Sequence, residues 1–382
     1  MTLGLPTELI WHVLCFLNDS DLASFRATCR QFDHMSLEYF GRRRFRTKQF
    51  MLSYDGLHAL CSLARGRFGR FVETLRIGSE ALACGRSTAK TEQSLRLQEL
   101  CEEQTYFRQR GQDTALLAVA LTAMKGSLVE IVVSGFSSKG GVRSWGVLEL
   151  EKETGTTVIL EQTRTLSIVL AAVASSQAQP RIVRNEPLLG QHGIGAHCDA
   201  IAIPRPGMAL LSIPFRQLRV LQLNLWTPGG RSDIAVRSLS TNLMSLLRVL
   251  TNLEELYLGL QRVLAVPKLG AEVGAAPFST RLRRLYIDGG HTEEAVLLAL
   301  IRNHIETLRE ITFTRVSLRG GWNSLISHLG LEIMFERLEE SDIVPIITVL
   351  DAWDTITCQK TSAMAWNPSA STDSRDALHC GS

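Results

Sequence analysis

An α/β fold, with a short N-terminal three-helix unit followed by an irregular, repeating α/β solenoid, is what this 382-residue sequence predicts. Two observations predict it. The first 46 residues carry three helical patterns holding more apolar side chain than so small a unit can hide. Beyond them, one apolar spacing returns six times, with helical stretches between several of the copies.

In the N-terminal unit, Pro6 suits a first helical turn, where its missing N–H is no loss, and Asn18-Asp19-Ser20-Asp21 supplies a break followed by N-cap chemistry. A first helix is therefore expected from Pro6 to Leu17. From Leu9 onward only His12 is polar, so apolar groups wrap nearly the whole circumference rather than forming one stripe. Leu22, Phe25 and Cys29 recur at helical spacing, as do Phe32, Met35, Tyr39 and Phe40, ahead of the basic run from Arg42 to Lys48. That run reads as a solvated helix end, with a nuclear address or a patch for an acidic partner as the functional alternatives. A unit of about 40 residues sits near the size below which a core needs a metal, a disulfide or a partner. It has no metal-ligand set, so a second protein or the following domain must cover the surplus.

These residues carry a resemblance. Leu5-Pro6-x-Glu8-Leu9, then Val13-Leu14-x-x-Leu17, Asp21-Leu22 and Phe25-Arg26-x-x-Cys29-Arg30-x-Phe32 resemble an F-box. Through this motif, substrate receptors dock on the Skp-family adaptor of cullin-type ubiquitin ligases. The resemblance covers residues 1–46 and implies an adaptor-facing surface made of Leu5, Pro6, Leu9, Ile10, Val13, Leu14, Leu17 and Leu22.

Residues 47–350 read as the body. An extended piece at Gln49 to Leu52 and a helix from Asp55 to Arg65 precede Val72-x-x-Leu75-x-Ile77. The same rule returns as Leu128-x-x-Ile131-x-Val133, Leu218-x-x-Leu221-x-Leu223, Leu253-x-x-Leu256-x-Leu258, Leu282-x-x-Leu285-x-Ile287 and Leu308-x-x-Ile311-x-Phe313. Helices are expected at 113–125, 165–175, 236–250 and 293–304, and a further strand at 181–183. The last four copies are spaced by 35, 29 and 26 residues, near the period of leucine-rich repeats, whose units leave an apolar face that only their neighbours can bury. The Asn that closes the standard repeat is missing: Trp226, Gln261, Gly290 and Val316 stand there. With the opening motif, the body resembles the irregular leucine-rich-repeat domain of fungal-type F-box proteins. Residues 79–112 read as a mobile stretch with a short helix at 95–104, and residues 351–382 as a disordered tail without the apolar content to pack.

Successive strand residues alternate faces, so the positions between the buried ones form a second surface. The substrate-facing candidates there are Arg76, Gln222, Asn224, Tyr257, Arg284, Tyr286, Asp288 and Thr312, with Tyr257 expected beside Tyr286. Tyrosine flanked by arginine is the composition of a protein-binding hot spot.

Other chemistry is weakly supported. Net charge is +3, from 41 basic and 38 acidic residues, too balanced to indicate nucleic acid or membrane. The eight cysteines form no regular framework and suit a reducing compartment, the cytoplasm or nucleus. His192, His197 and Cys198 cluster, but their spacing fits no zinc pattern; no phosphate loop and no Gly-x-Ser-x-Gly nucleophile motif occurs. The sequence thus reads as a non-enzymatic receptor with no cofactor. It would bind a Skp-family adaptor, through it a cullin, and an unknown protein target. The alternatives are a repeat scaffold that uses the motif outside ubiquitin transfer and, more distantly, a hydrolase or metal enzyme built on the His192 to Cys198 segment.

Overall fold

A computed structural model describes residues 6–82, 92–134, 144–154, 159–187, 195–203, 205–226, 233–261, 278–304, 306–314, 316–319, 347–350 and 355–358. Three helices open the chain: α1 (Thr7–Phe16), α2 (Asp19–Thr28) and α3 (Arg30–Phe45). The capping chemistry is local. The carbonyl of Pro6 accepts the Leu9 and Ile10 N–H groups, Asn18 Oδ1 accepts the Asp21 N–H at 2.9 Å, and Cys29 Sγ accepts the Phe32 N–H at 3.5 Å.

The body is a parallel sheet whose strand order follows the chain: β1 (Thr47–Met51), β2 (Thr74–Gly78), β3 (Glu130–Ser134), β4 (Ile182–Asn185), β5 (Val220–Trp226), β6 (Glu255–Gln261), β7 (Arg284–Asp288) and β8 (Glu310–Thr314). The second and third positions of all six copies fall on these strands, and the six second positions align in register with Val183 of β4 between them, as Leu75, Ile131, Val183, Leu221, Leu256, Leu285 and Ile311. That ladder is buried, with Leu75, Val183 and Leu256 fully so. Identical spacing in each copy stacks like on like, which fixes the register because a one-residue slip would turn every apolar side chain outward.

The remaining helices are α4 (Tyr54–Arg65), α5 (Glu92–Gln109), α6 (Gln112–Met124), α7 (Val147–Thr154), α8 (Gln162–Ser176), α9 (Arg205–Leu211), α10 (Asp233–Leu247) and α11 (Glu294–Asn303). α6 packs against both α4 and α8. One continuous core joins Leu57, Leu60, Leu117, Leu121, Val169 and Val173 to the apolar sheet face. At full burial each such side chain contributes about 1.5–3 kcal/mol.

The N-terminal unit joins this body through a single residue, Arg46, between α3 and β1. The rings of Phe45 and Phe68 stack at 4.3 Å, and Phe40 leans on both at 5.8 Å. Arg26, 8% exposed, lies 3.9 Å from the centre of the Phe40 ring and pairs with Asp33, which also takes a 2.6 Å bond from Arg67 of the body. Hydrogen bonds from Arg67, and then from Arg26, hold the Asp33 carboxyl below its ordinary range.

Several sequence expectations need correction. Residues 92–109 form one helix of 18 residues, longer than the 95–104 expected within a mobile stretch, with Leu97, Cys101, Gln104 and Phe107 buried. Cys15, Cys29, Cys61 and Cys198 are thiols, but Cys101 is disulfide-bonded, which irregular spacing did not reveal. Within the tail expected to stay unpacked, Thr355–Cys358 pairs antiparallel with Ile347–Leu350; its other residues lie outside the described ones. The basic run is a solvated helix end, as expected, that also carries surface ion pairs: Arg43 and Arg44 reach Asp19 of α2, and Arg42 pairs with Glu38 one turn back on α3.

Candidate functional site

α1 carries two apolar faces. Ile10, Leu14 and, partly, Leu17 turn inward with Leu22 of α2, and Phe25, Phe32, Met35, Tyr39 and Phe40 pack around them. Leu9 (51% exposed), Val13 (48%) and Phe16 (88%) lie on another face at spacings of four and three residues, with Trp11 (43%) to one side. The expected adaptor-facing set is corrected accordingly. Ile10, Leu14 and Leu22 are buried in the unit's own core, Leu17 is half-buried, Pro6, Leu9 and Val13 are exposed, and Leu5 lies outside the described residues. The sequence expectation passed over Trp11 and Phe16, although their apolar character on an all-apolar helix was the available signal. A helix whose inner face is already committed to its own core offers Leu9, Val13 and Phe16 to another surface.

The second candidate surface is the polar sheet face. Gln49, Arg76, Val132, Arg184, Gln222, Tyr257, Tyr286 and Thr312 form one register row across all eight strands. Tyr257 and Tyr286 are neighbours as expected, with ring centres 5.9 Å apart. The Tyr257 hydroxyl donates to Glu255 at 3.0 Å; burial, then the nearby Glu255 charge, pushes its pKa up. Thr314 donates to the Tyr286 hydroxyl at 2.8 Å. Arg284 is exposed, bridging Glu255 at 3.1 Å and Glu310 at 3.8 Å, while Asp288 and Thr312 are half-buried. Arg76 is engaged by Glu186. Two members of the expected set are not on open surface. Gln222 (5% exposed) is flanked in register by Arg184 and Tyr257, and Asn224 (9%) exchanges side chain-to-carbonyl hydrogen bonds with Asn185. The partly open positions of this face flank the buried Gln222 and Asn224 on both sides: Arg76 and Arg184 toward one end, Tyr257, Tyr286 and Thr312 toward the other.

A cleft of about 470 Å³ opens beside the ends of β1 and β2, with Tyr54, Glu80, Arg96, Gln104, Arg108 and Trp145 in its wall. Glu80 is buried, accepts the Ser144 hydroxyl at 2.7 Å, and has its pKa raised chiefly by burial. Gln49 in turn donates to Ser144 at 2.9 Å. Sequence reasoning missed this group because Ser144 stands 64 residues away from its partner.

His197, Cys198 and Asp199 bring one ligand atom each within 4.8 Å of one another. Nδ1 of His197 accepts the Asp199 N–H at 3.3 Å, as a side-chain cap of the short turn that follows. Burial, then the Asp199 charge, pushes the Cys198 thiol away from the thiolate form that binds metal. His192 lies outside the described residues. Ala196–His197 pairs with Leu225 and Trp226 of β5, so the chain rejoins the sheet after leaving β4.

Residues 2–46 match the F-box-like family model, the segment that folds as α1 to α3. The N-terminal unit is thus an F-box-like domain, of the kind that generally binds Skp-family adaptors. No curated protein matches the chain significantly.

Proposed function

We propose, from the premise of an N-terminal F-box-like domain, that this protein is a substrate-recognition subunit of a cullin-type ubiquitin ligase, acting in the cytoplasm or nucleus. In this reading the outer face of α1 docks on a Skp-family adaptor, and the adaptor links the chain to a cullin. The body is a leucine-rich-repeat-like solenoid that holds a protein target on its polar sheet face. Strands that alternate apolar and polar residues leave part of the second sheet face, around Tyr257, Tyr286 and Thr312, accessible, and strand order that follows the chain is how stacked repeats are laid out. The chain itself makes and breaks no bonds; it accelerates transfer by holding the target near the ubiquitin-charged enzyme.

The observation that carries this reading is the exposed row Leu9, Val13 and Phe16 on a helix whose neighbouring face, Ile10 and Leu14, is already packed. Affinity capture of a purified Skp-family adaptor by the full chain tests it. Leu9→Asp with Phe16→Asp is expected to abolish capture while the far-ultraviolet spectrum and melting temperature stay near those of the parent. Leu14→Ala is expected to act differently, costing about 2–5 kcal/mol of stability as a core truncation. Undiminished capture by the double variant would remove the docking face from consideration. Adaptor recovered without cullin from a reconstituted mixture would favour a scaffold working outside ubiquitin transfer.

A further inference from the structure

The residue immediately before each strand forms a row of its own along the N-terminal rim of the sheet, Arg46, Glu73 and Val129 at one end and five further positions toward the C-terminal strands. Backbone hydrogen bonds run from Arg219 to Arg181, Glu254 to Arg219, Arg283 to Glu254 and Arg309 to Arg283, so these five positions are consecutive neighbours. Four of the five are arginine. Strand spacing sets adjacent members about 4.8 Å apart, and like charges side by side on a sheet repel. Glu254, the one carboxylate among these five, is engaged by Arg219 at 3.6 Å, while Glu73 further along the rim pairs with Arg46. Arg281, Arg283 and Arg309 are exposed and make no ion pair among the described residues, although Arg309 reaches the Leu308 carbonyl at 3.5 Å. With Thr280, Thr307, Glu254 and the exposed Glu306, they line a groove of about 670 Å³. Elsewhere on the sheet the arginines are paired: Arg76 with Glu186, Arg184 with Glu130, Arg284 with Glu255. At the C-terminal end of the rim, Arg281, Arg283 and Arg309 outnumber the two carboxylates, Glu254 and Glu306, that share their groove.

We propose that this rim, centred on Arg283 and Arg309, binds an anionic segment of a protein partner, its carboxylates or phosphates taking charge-assisted bonds from the guanidinium forks. A planar fork with several donors matches either oxyanion. The class of partner rests on reading the chain as a substrate receptor; the anion site rests on the rim alone.

Fluorescence anisotropy on the full chain tests it, with a labelled oligoglutamate peptide, a serine-phosphorylated peptide of equal charge, a neutral peptide and a single-stranded RNA. Both anionic peptides are expected to bind, more weakly as salt rises, and the neutral one not to. Arg283→Glu with Arg309→Glu is expected to weaken peptide binding by about ten-fold or more, while Lys152→Glu, on α7, whose Leu150 and Glu153 line the cleft beside the ends of β1 and β2, leaves it unchanged. Tighter binding of the phosphopeptide would identify phosphate as the source of the anion, and equal binding simple acidity; both support the site. Absence of binding, binding indifferent to the double reversal, or preference for RNA would overturn it. Adaptor capture separates the two readings. A chain that captures adaptor but no acidic peptide loses only the rim, whereas one that binds the peptides at the rim but captures no adaptor loses only the ligase reading.

Discussion

Glu80 keeps its carboxyl out of water, held by the hydroxyl of Ser144. Burial raises its pKa above the ordinary 4.5, so its neutral form suits the fold and ionisation opposes it. Stability from this residue is therefore full below the unfolded pKa and is lost as pH rises through the folded one. Glu80→Gln is expected to gain on the parent as pH is raised from 4 toward 7, read from urea unfolding curves at both values; an offset that does not change with pH would place the charge elsewhere. How far single residues were legible differs for a physical reason. Strand alternation correctly told which face Gln222 and Asn224 occupy, but not that the side chains of neighbouring strands would cover them. Likewise the all-apolar run of α1 showed that two faces must be covered without showing which one Ile10 and Leu14 take. Exposure is decided by neighbours, and the sequence names those only through the fold.

α3 is the element on which the two parts of the molecule meet, and Gly41 is where it comes closest. A Cβ at that position would overlap the Phe71 ring. In a free helix Gly to Ala is worth about 1 kcal/mol in favour of Ala. Here overpacking, at about 1–3 kcal/mol, outweighs it. Gly41→Ala is expected to lower the melting temperature, and a rise would mean that α3 and Phe71 are not pressed together. At this scale the strands were largely readable, since one apolar rule recurs and register stacks its copies. α5 was read too short because its buried stripe, Leu97, Cys101, Gln104 and Phe107, contains a glutamine. Gln104 is tolerated inside because it donates to the Leu52 carbonyl at 2.9 Å, a partner 52 residues away that no local pattern announces.

For the whole molecule, the three-helix unit leans on the body for much of its closure. Its own fully buried apolar side chains are few, Phe40 and Phe45 rest on Phe68, and Asp33 is shared with Arg67. An isolated 1–46 fragment is expected to melt broadly and without cooperativity by circular dichroism, whereas the full chain melts in a sharp transition; a cooperative fragment would show the unit to be self-sufficient. The single-residue junction has one more consequence. Because α3 runs into β1 through Arg46 alone, and ring stacking and a shared carboxylate pin it from the side, the leading helix and the sheet turn together as one piece. Anything gripped at one end is kept at a constant bearing and range from anything gripped at the other, as on a caliper with its screw tightened. Which points on the cargo can then be touched is governed by the cargo's own shape, not by swivel in the holder.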